Sequence, residues 1–267
     1  MRHALLAIGL SCLLACGGAA PDALTFERTL NAGPSYTAHL ISYRNDGLKL
    51  HAMIAMPRSE MPLAGYPVVV ANHGYVPDPT KYGITAEGVD SRPGDYYRSV
   101  PELYASRGYL IVMPDYRGHN SSDGLEYVDG KESVGYYAED VVALMSKLSD
   151  IEHADLENVF MWSHSMGGAV SMRALFATDV VKAASFWSTM PVDDLSSNLG
   201  ELAIPIIIQH AVNDQTTAFA NSERLAELLA GNGQSYTIHQ YESSDHYFAG
   251  DMRELAADRD VAFFRSL

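Results

Sequence analysis

Cysteine is nearly missing from this chain: two occur in 267 residues, Cys12 and Cys16, and none follows position 16. No disulfide can brace the remainder, so its core has to hold it together. Basic residues are also few, 18 Lys and Arg against 33 Asp and Glu, which leaves a formal charge of −15. A surface of that sign repels phosphate backbones and anionic bilayers, which argues against nucleic acid and against charge-driven membrane binding, and makes acidic polymers poor substrates. There is no pair of histidines at i, i+4, no phosphate-binding glycine loop and no dinucleotide fingerprint. The chain is therefore expected to hold no metal and no cofactor. Internal repeats and low-complexity tracts are missing as well.

Long apolar runs are limited to the start. Residues 1–16 open with Arg2 and continue as an apolar stretch too short to span a bilayer comfortably. This pattern predicts a secretory signal peptide over 1–15. It ends in Leu13-Leu14-Ala15-Cys16, which resembles the bacterial lipoprotein box and predicts that Cys16 is lipidated. The expected product is exported and anchored by lipid on the periplasmic or cell-surface side, its only membrane contact. From Gly17 to Pro34 the chain is rich in Gly, Ala and Pro and reads as a tether, so residues 16–34 form anchor and spacer. Residues 35–267 read as one domain. Its oligomeric state is not legible.

That domain alternates strand and helix patterns. Thr37–Tyr43 and Leu48–Met56 flank the turn sequence Arg44-Asn-Asp-Gly47, a hairpin signal. Apolar strand patterns follow at 68–72, 109–113, 159–162, 181–187, 204–209 and 236–241, and helical spacing at 96–107, 137–148, 169–176, 221–229 and 251–264. Eight strands alternating with helices predict an α/β domain, a mostly parallel sheet covered on both faces. Sites on such sheets gather at the carboxyl ends of the strands.

Four chemistry-bearing stretches fall at those ends. Phe160-Met-Trp-Ser-His-Ser-Met-Gly-Gly168 runs from apolar strand to helix pattern through a turn between small residues, and presents Ser165 at its apex. His73-Gly74-Tyr75 follows the third strand, Asp214 the seventh and His246 the eighth. A serine hydroxyl needs an imidazole to take its proton, and the imidazole needs a carboxylate to fix its tautomer. Ser165, His246 and Asp214 are the candidates, with Asp193 or Asp194 as alternative acids. An oxyanion needs preset donors: the main-chain amides of Met166 and of Tyr75 or Gly74. His164 and His210 are expected to pack or hydrogen-bond locally.

The chain order Ser165, Asp214, His246 is that of α/β-hydrolases. Together with Asp115-Tyr-Arg-Gly118, Ser163-His-Ser-Met-Gly-Gly168 and Asp245-His246, it makes the domain resemble the catalytic domain of prolyl-oligopeptidase-type peptidases and related esterases. Ser163 replaces that family's usual glycine, Tyr75 replaces a second glycine in the oxyanion loop, and there is no room for a propeller. The resemblance implies an α/β-hydrolase fold with a minimal lid, the 75–97 loop, and a serine hydrolase cleaving small esters or amides through an acyl-enzyme. It also implies that Arg117 braces the site against carboxylates and that the His73 side chain helps receive the oxyanion. His73, Tyr75, Tyr82, Tyr96 and Tyr97 on one side, and Trp187 and Met190 on the other, are expected to line a substrate pocket. A prolyl-oligopeptidase-like peptidase is the alternative, and a non-catalytic binding protein on the same fold is a third reading.

Overall fold

A computed structural model describes residues 23–81, 96–128, 130 and 132–267. The expected signal peptide, Cys16, Tyr82 and most of the 75–97 loop lie outside the described residues. One nine-stranded sheet organises the rest, in the order β1-β2-β3-β5-β4-β6-β7-β8-β9. Its strands are β1 Thr25–Leu30, β2 Tyr36–Asn45, β3 Leu48–Pro57, β4 Tyr66–Asn72, β5 Leu110–Asp115, β6 Ala154–His164, β7 Ala183–Trp187, β8 Ile206–Ala211 and β9 Tyr236–Tyr241. The first three pair antiparallel, and β4 through β9 are parallel to one another.

Local chemistry explains the hairpin: Asp46 and Gly47 both take positive φ, 51° and 80°, as a two-residue turn between β2 and β3 requires. Strand alternation then builds two cores. Val68, Val70, Leu110, Val112 and Met161 face one side, where α2 (Ser133–Met145), α3 (Met166–Leu175) and α4 (Ala220–Gly231) pack. Val69, Ala71, Ile111, Met113, Phe160 and Trp162 face the other, under α1 (Val100–Ala105) and α5 (Gly250–Arg265). Covering both faces is what parallel strands with crossover helices demand.

The sheet has nine strands where eight are expected. The extra one is β1, within the stretch read as tether. Only Leu30 of β1 is buried, so it carries no apolar alternation, and main-chain pairing to β2 is what orders it. Glu27 adds bonds to Ser42 (2.6 Å) and Lys49 (2.6 Å).

Strand β4 holds the central place, with β5 on one side and β6 on the other. The chain leaves β4 toward β5 and returns past it to β6, which opens a crevice beyond their carboxyl ends. The β4 loop and Ser165 both emerge there.

Candidate active site

Between the end of β6 at His164 and the start of α3 at Met166 stands one residue, Ser165, at φ 55° and ψ −123°. Left-handed backbone in a non-glycine residue costs about 1–3 kcal/mol and persists only where the surroundings enforce it. Here the Ser165 N–H donates to Trp187 O (3.0 Å), and its carbonyl accepts from Met190 N (3.1 Å), so the turn is fastened to the end of β7. A Cβ on Gly167 would collide with the carbonyl oxygens of Asn72 and His73, so glycine is what lets α3 reach the end of β4. Ser163, the departure from the family pattern, is fully buried and donates its hydroxyl to Ser185 O (3.1 Å). The Met166 amide lies in the first turn of α3, where N–H groups have no intrahelical acceptor and the helix end is positive.

His246 and Asp214 converge from the ends of β9 and β8. His246 Nδ1 lies 2.6 Å from Asp214 Oδ2. The other carboxylate oxygen accepts the amides of Thr216 (2.7 Å) and Thr217 (3.1 Å). Burial works to raise the pKa of Asp214, but the His246 bond and these amides outweigh it and hold the carboxyl below its ordinary value. His210 sits behind, bonded to Ser222 Oγ (2.6 Å) and Thr217 O (2.9 Å), and burial keeps it below the ordinary histidine value.

Ser165, His246, His164, Tyr97 and Tyr75 line one cavity of about 480 Å³. A second, of about 200 Å³, lies on the other side of Tyr75, walled by Met166, Val76, His119, Val134 and Tyr137.

A chain of hydrogen bonds ties the two loops at this site. The Gly74 amide donates to Tyr97 Oη (2.8 Å), Tyr97 Oη lies 2.7 Å from His164 Nδ1, and His164 Nε2 lies 2.8 Å from the carbonyl of His246. Burial, and then the neighbouring His246, push His164 down to about 3, so its ring is neutral. A carbonyl can only accept, so His164 carries its proton on Nε2 and receives the Tyr97 hydroxyl at Nδ1. The Gly74 amide is thereby occupied. Of the two loop amides expected at the oxyanion, only that of Tyr75 has no acceptor among the described residues. Tyr97 and His164 therefore form the link between the loops, a role no spacing in the sequence signals.

Three expected pocket residues turn inward instead. His73 is buried and stacks on Tyr116 at 4.2 Å, and burial lowers it to about 3. Its Nδ1 faces Gly74 O (2.9 Å), which can only accept, so the proton sits there and Nε2 has none to give an oxyanion. Trp187 is fully buried, its indole N–H on Asp260 (2.8 Å). Met190 packs its side chain against the core and lines neither cavity. Strand alternation explains the tryptophan, since its ring falls on the α5 face of β7.

Of the alternative acids, Asp194 pairs with Arg173 at the surface, and the side chain of Asp193 is outside the described residues. Arg117 is buried on Asp140, with Nη2 at 2.6 Å from Oδ1, and also reaches Asp46 (3.0 Å). It ties the β5 loop to α2 and to the hairpin.

A parallel sheet with an antiparallel edge, helices on both faces and a serine elbow after β6 define the α/β-hydrolase class. Solved structures agree: dipeptidyl peptidase 4 of Porphyromonas gingivalis superimposes with TM-score 0.68 at 16% identity over 87% of this chain. Acylaminoacyl peptidase of Pyrococcus horikoshii gives 0.68 at 18% over 86%, and acetyl xylan esterase of Paenibacillus sp. R4 gives 0.68 at 16% over 91%. This chain spans 36% of the dipeptidyl peptidase, 41% of the acylaminoacyl peptidase and 89% of the esterase. No curated protein matches the sequence significantly. Residues 84–190, less than half of the chain, match a family model described as serine aminopeptidase, S33, and the structural likenesses show the α/β-hydrolase fold.

Proposed function

We propose that this protein cleaves carboxylic esters of small molecules through an acyl-enzyme on Ser165. The observation that carries the reading is the left-handed Ser165 facing the same cavity as His246, whose Nδ1 lies 2.6 Å from Asp214. In this reading His246 takes the Ser165 proton as the hydroxyl attacks the acyl carbon. Asp214 keeps the His246 proton on Nδ1, so Nε2 is free to accept, and stabilises the imidazolium that forms. The amides of Met166 and Tyr75 receive the oxyanion. His246 then returns the proton to the leaving oxygen, and a water repeats the sequence to free the acid. Labelling by a fluorophosphonate tests the nucleophile: it should vanish in Ser165→Ala, and labelling that persists unchanged defeats the assignment.

A peptidase reading draws on the serine aminopeptidase match. The esterase reading is placed first on the likeness to the acetyl xylan esterase, 89% of whose length this chain covers. Rates on acetyl esters against aminoacyl and prolyl amides decide between them, and faster amide cleavage reverses the order. Export and lipidation at Cys16 belong to the same proposal. They rest on the motif alone, and palmitate incorporation should be lost in Cys16→Ser.

A further inference from the structure

Arg253 stands in the first turn of α5, seven residues beyond His246, and lines the same cavity as Ser165. Its surroundings hold it firmly. Nε donates to Phe248 O (2.8 Å), Nη1 lies 3.2 Å from Ser99 Oγ, and the guanidinium stacks over the Tyr247 ring at 4.4 Å. Arg107, Arg117, Arg173 and Arg224 each have a carboxylate within 4.0 Å, but Arg253 has none among the described residues. Asp245 lines the cavity too and forms no ion pair with it. Among the described residues these contacts leave Nη2 without a hydrogen-bond partner.

In a chain with 33 acidic and 18 basic residues, a cation that stays unpaired beside the nucleophile is a place where an anion is favoured. Guanidinium offers paired donors in a plane, which match a carboxylate. Stacking on Tyr247 and the bond to Phe248 fix that plane in advance, so little ordering is lost when a ligand arrives. Resting on the serine-hydrolase reading, we infer that Arg253 selects substrates bearing a carboxylate, such as monoesters of short dicarboxylic acids, by binding that group in the 480 Å³ cavity while Ser165 attacks the ester carbon. Neutral esters of equal length lack this contact.

The test compares mono-4-nitrophenyl adipate with 4-nitrophenyl hexanoate, two six-carbon acyl groups that differ in the terminal carboxylate. The wild-type enzyme should prefer adipate in kcat/KM, and added salt should erode the preference. Arg253→Met should lower kcat/KM on adipate by roughly tenfold to a hundredfold, mainly through KM, with a much smaller loss on hexanoate. Arg253→Lys should recover part of it. Equal rates on the two esters, a preference for hexanoate, or an equal fall on both in Arg253→Met overturns the proposal, the last because it marks a purely structural brace. If neither ester turns over and fluorophosphonate does not label Ser165, the serine-hydrolase reading itself falls, and this proposal with it.

Discussion

The imidazole of His164, the residue before Ser165, reaches across the site to hold the main-chain carbonyl of His246 at 2.8 Å. Its other nitrogen meets the Tyr97 hydroxyl that also takes the Gly74 amide. One neutral ring thus fixes the distance between the β6 turn, the β9 loop and the β4 loop. His164→Phe should leave the fold intact and lower kcat by about 10-fold to 100-fold, with less change in KM, because misplacement of about 1 Å costs on that order. Tyr97→Phe should give a smaller loss of the same kind. Steady-state kinetics on a short acyl ester, with circular dichroism as control, measure both; unchanged kcat in both variants would show that the link positions nothing.

His164 and His73 also predict how stability responds to acid. Burial lowers both from 6.5 to about 3. A depressed folded pKa means that the unfolded chain binds the proton first. The stability these rings contribute is complete above about pH 6.5 and is lost progressively as pH falls toward 3, by up to about 1.4 kcal/mol per pH unit for each ring. Urea midpoints at pH 7, 6 and 5 should therefore fall more steeply for the wild type than for His164→Gln. Parallel slopes would contradict a neutral buried ring.

Asp214→Asn should lower kcat by about 10⁴-fold, since an amide facing His246 Nδ1 would reverse the tautomer. Single-turnover acylation rates report the effect without interference from product release. A rate within tenfold of wild type would move the acid to Asp193, as Asp194 is held by Arg173.

Asp260 makes a different prediction, about stability. Fully buried on α5, it accepts from Tyr104 Oη (2.6 Å), Ser185 Oγ (2.7 Å), Trp187 Nε1 (2.8 Å) and Gln209 Nε2 (2.5 Å). Burial raises it to about 7, although all four bonds favour the carboxylate. Asp260→Ala strands four buried donors and should cost about 3 kcal/mol or more. Urea unfolding measures it, and a loss under 1 kcal/mol would show that the donors find other partners.

The sequence by itself determined most of the elements and which candidate residues follow the strands. Val68–Ala71 announces a doubly buried strand, Asp46-Gly47 a two-residue turn, and the small residues around Ser165 a sharp junction, because each signal is local and repeats with the period of strand or helix. The places of Ser165, Asp214 and His246 were legible for the same reason, since each follows such a strand. What only the tertiary structure decided depends on residues far apart in the chain. β1 has no apolar period and exists by pairing with β2. Trp187 faces Asp260 because of its place in the strand pleat, not its nearness to the active-site loops. The Gly74 amide is spent on Tyr97, and His164 grips His246 across 82 residues of chain. Hydrogen bonds of that kind follow from where the sheet brings the loops together, and a partner's identity leaves no periodic trace in either stretch.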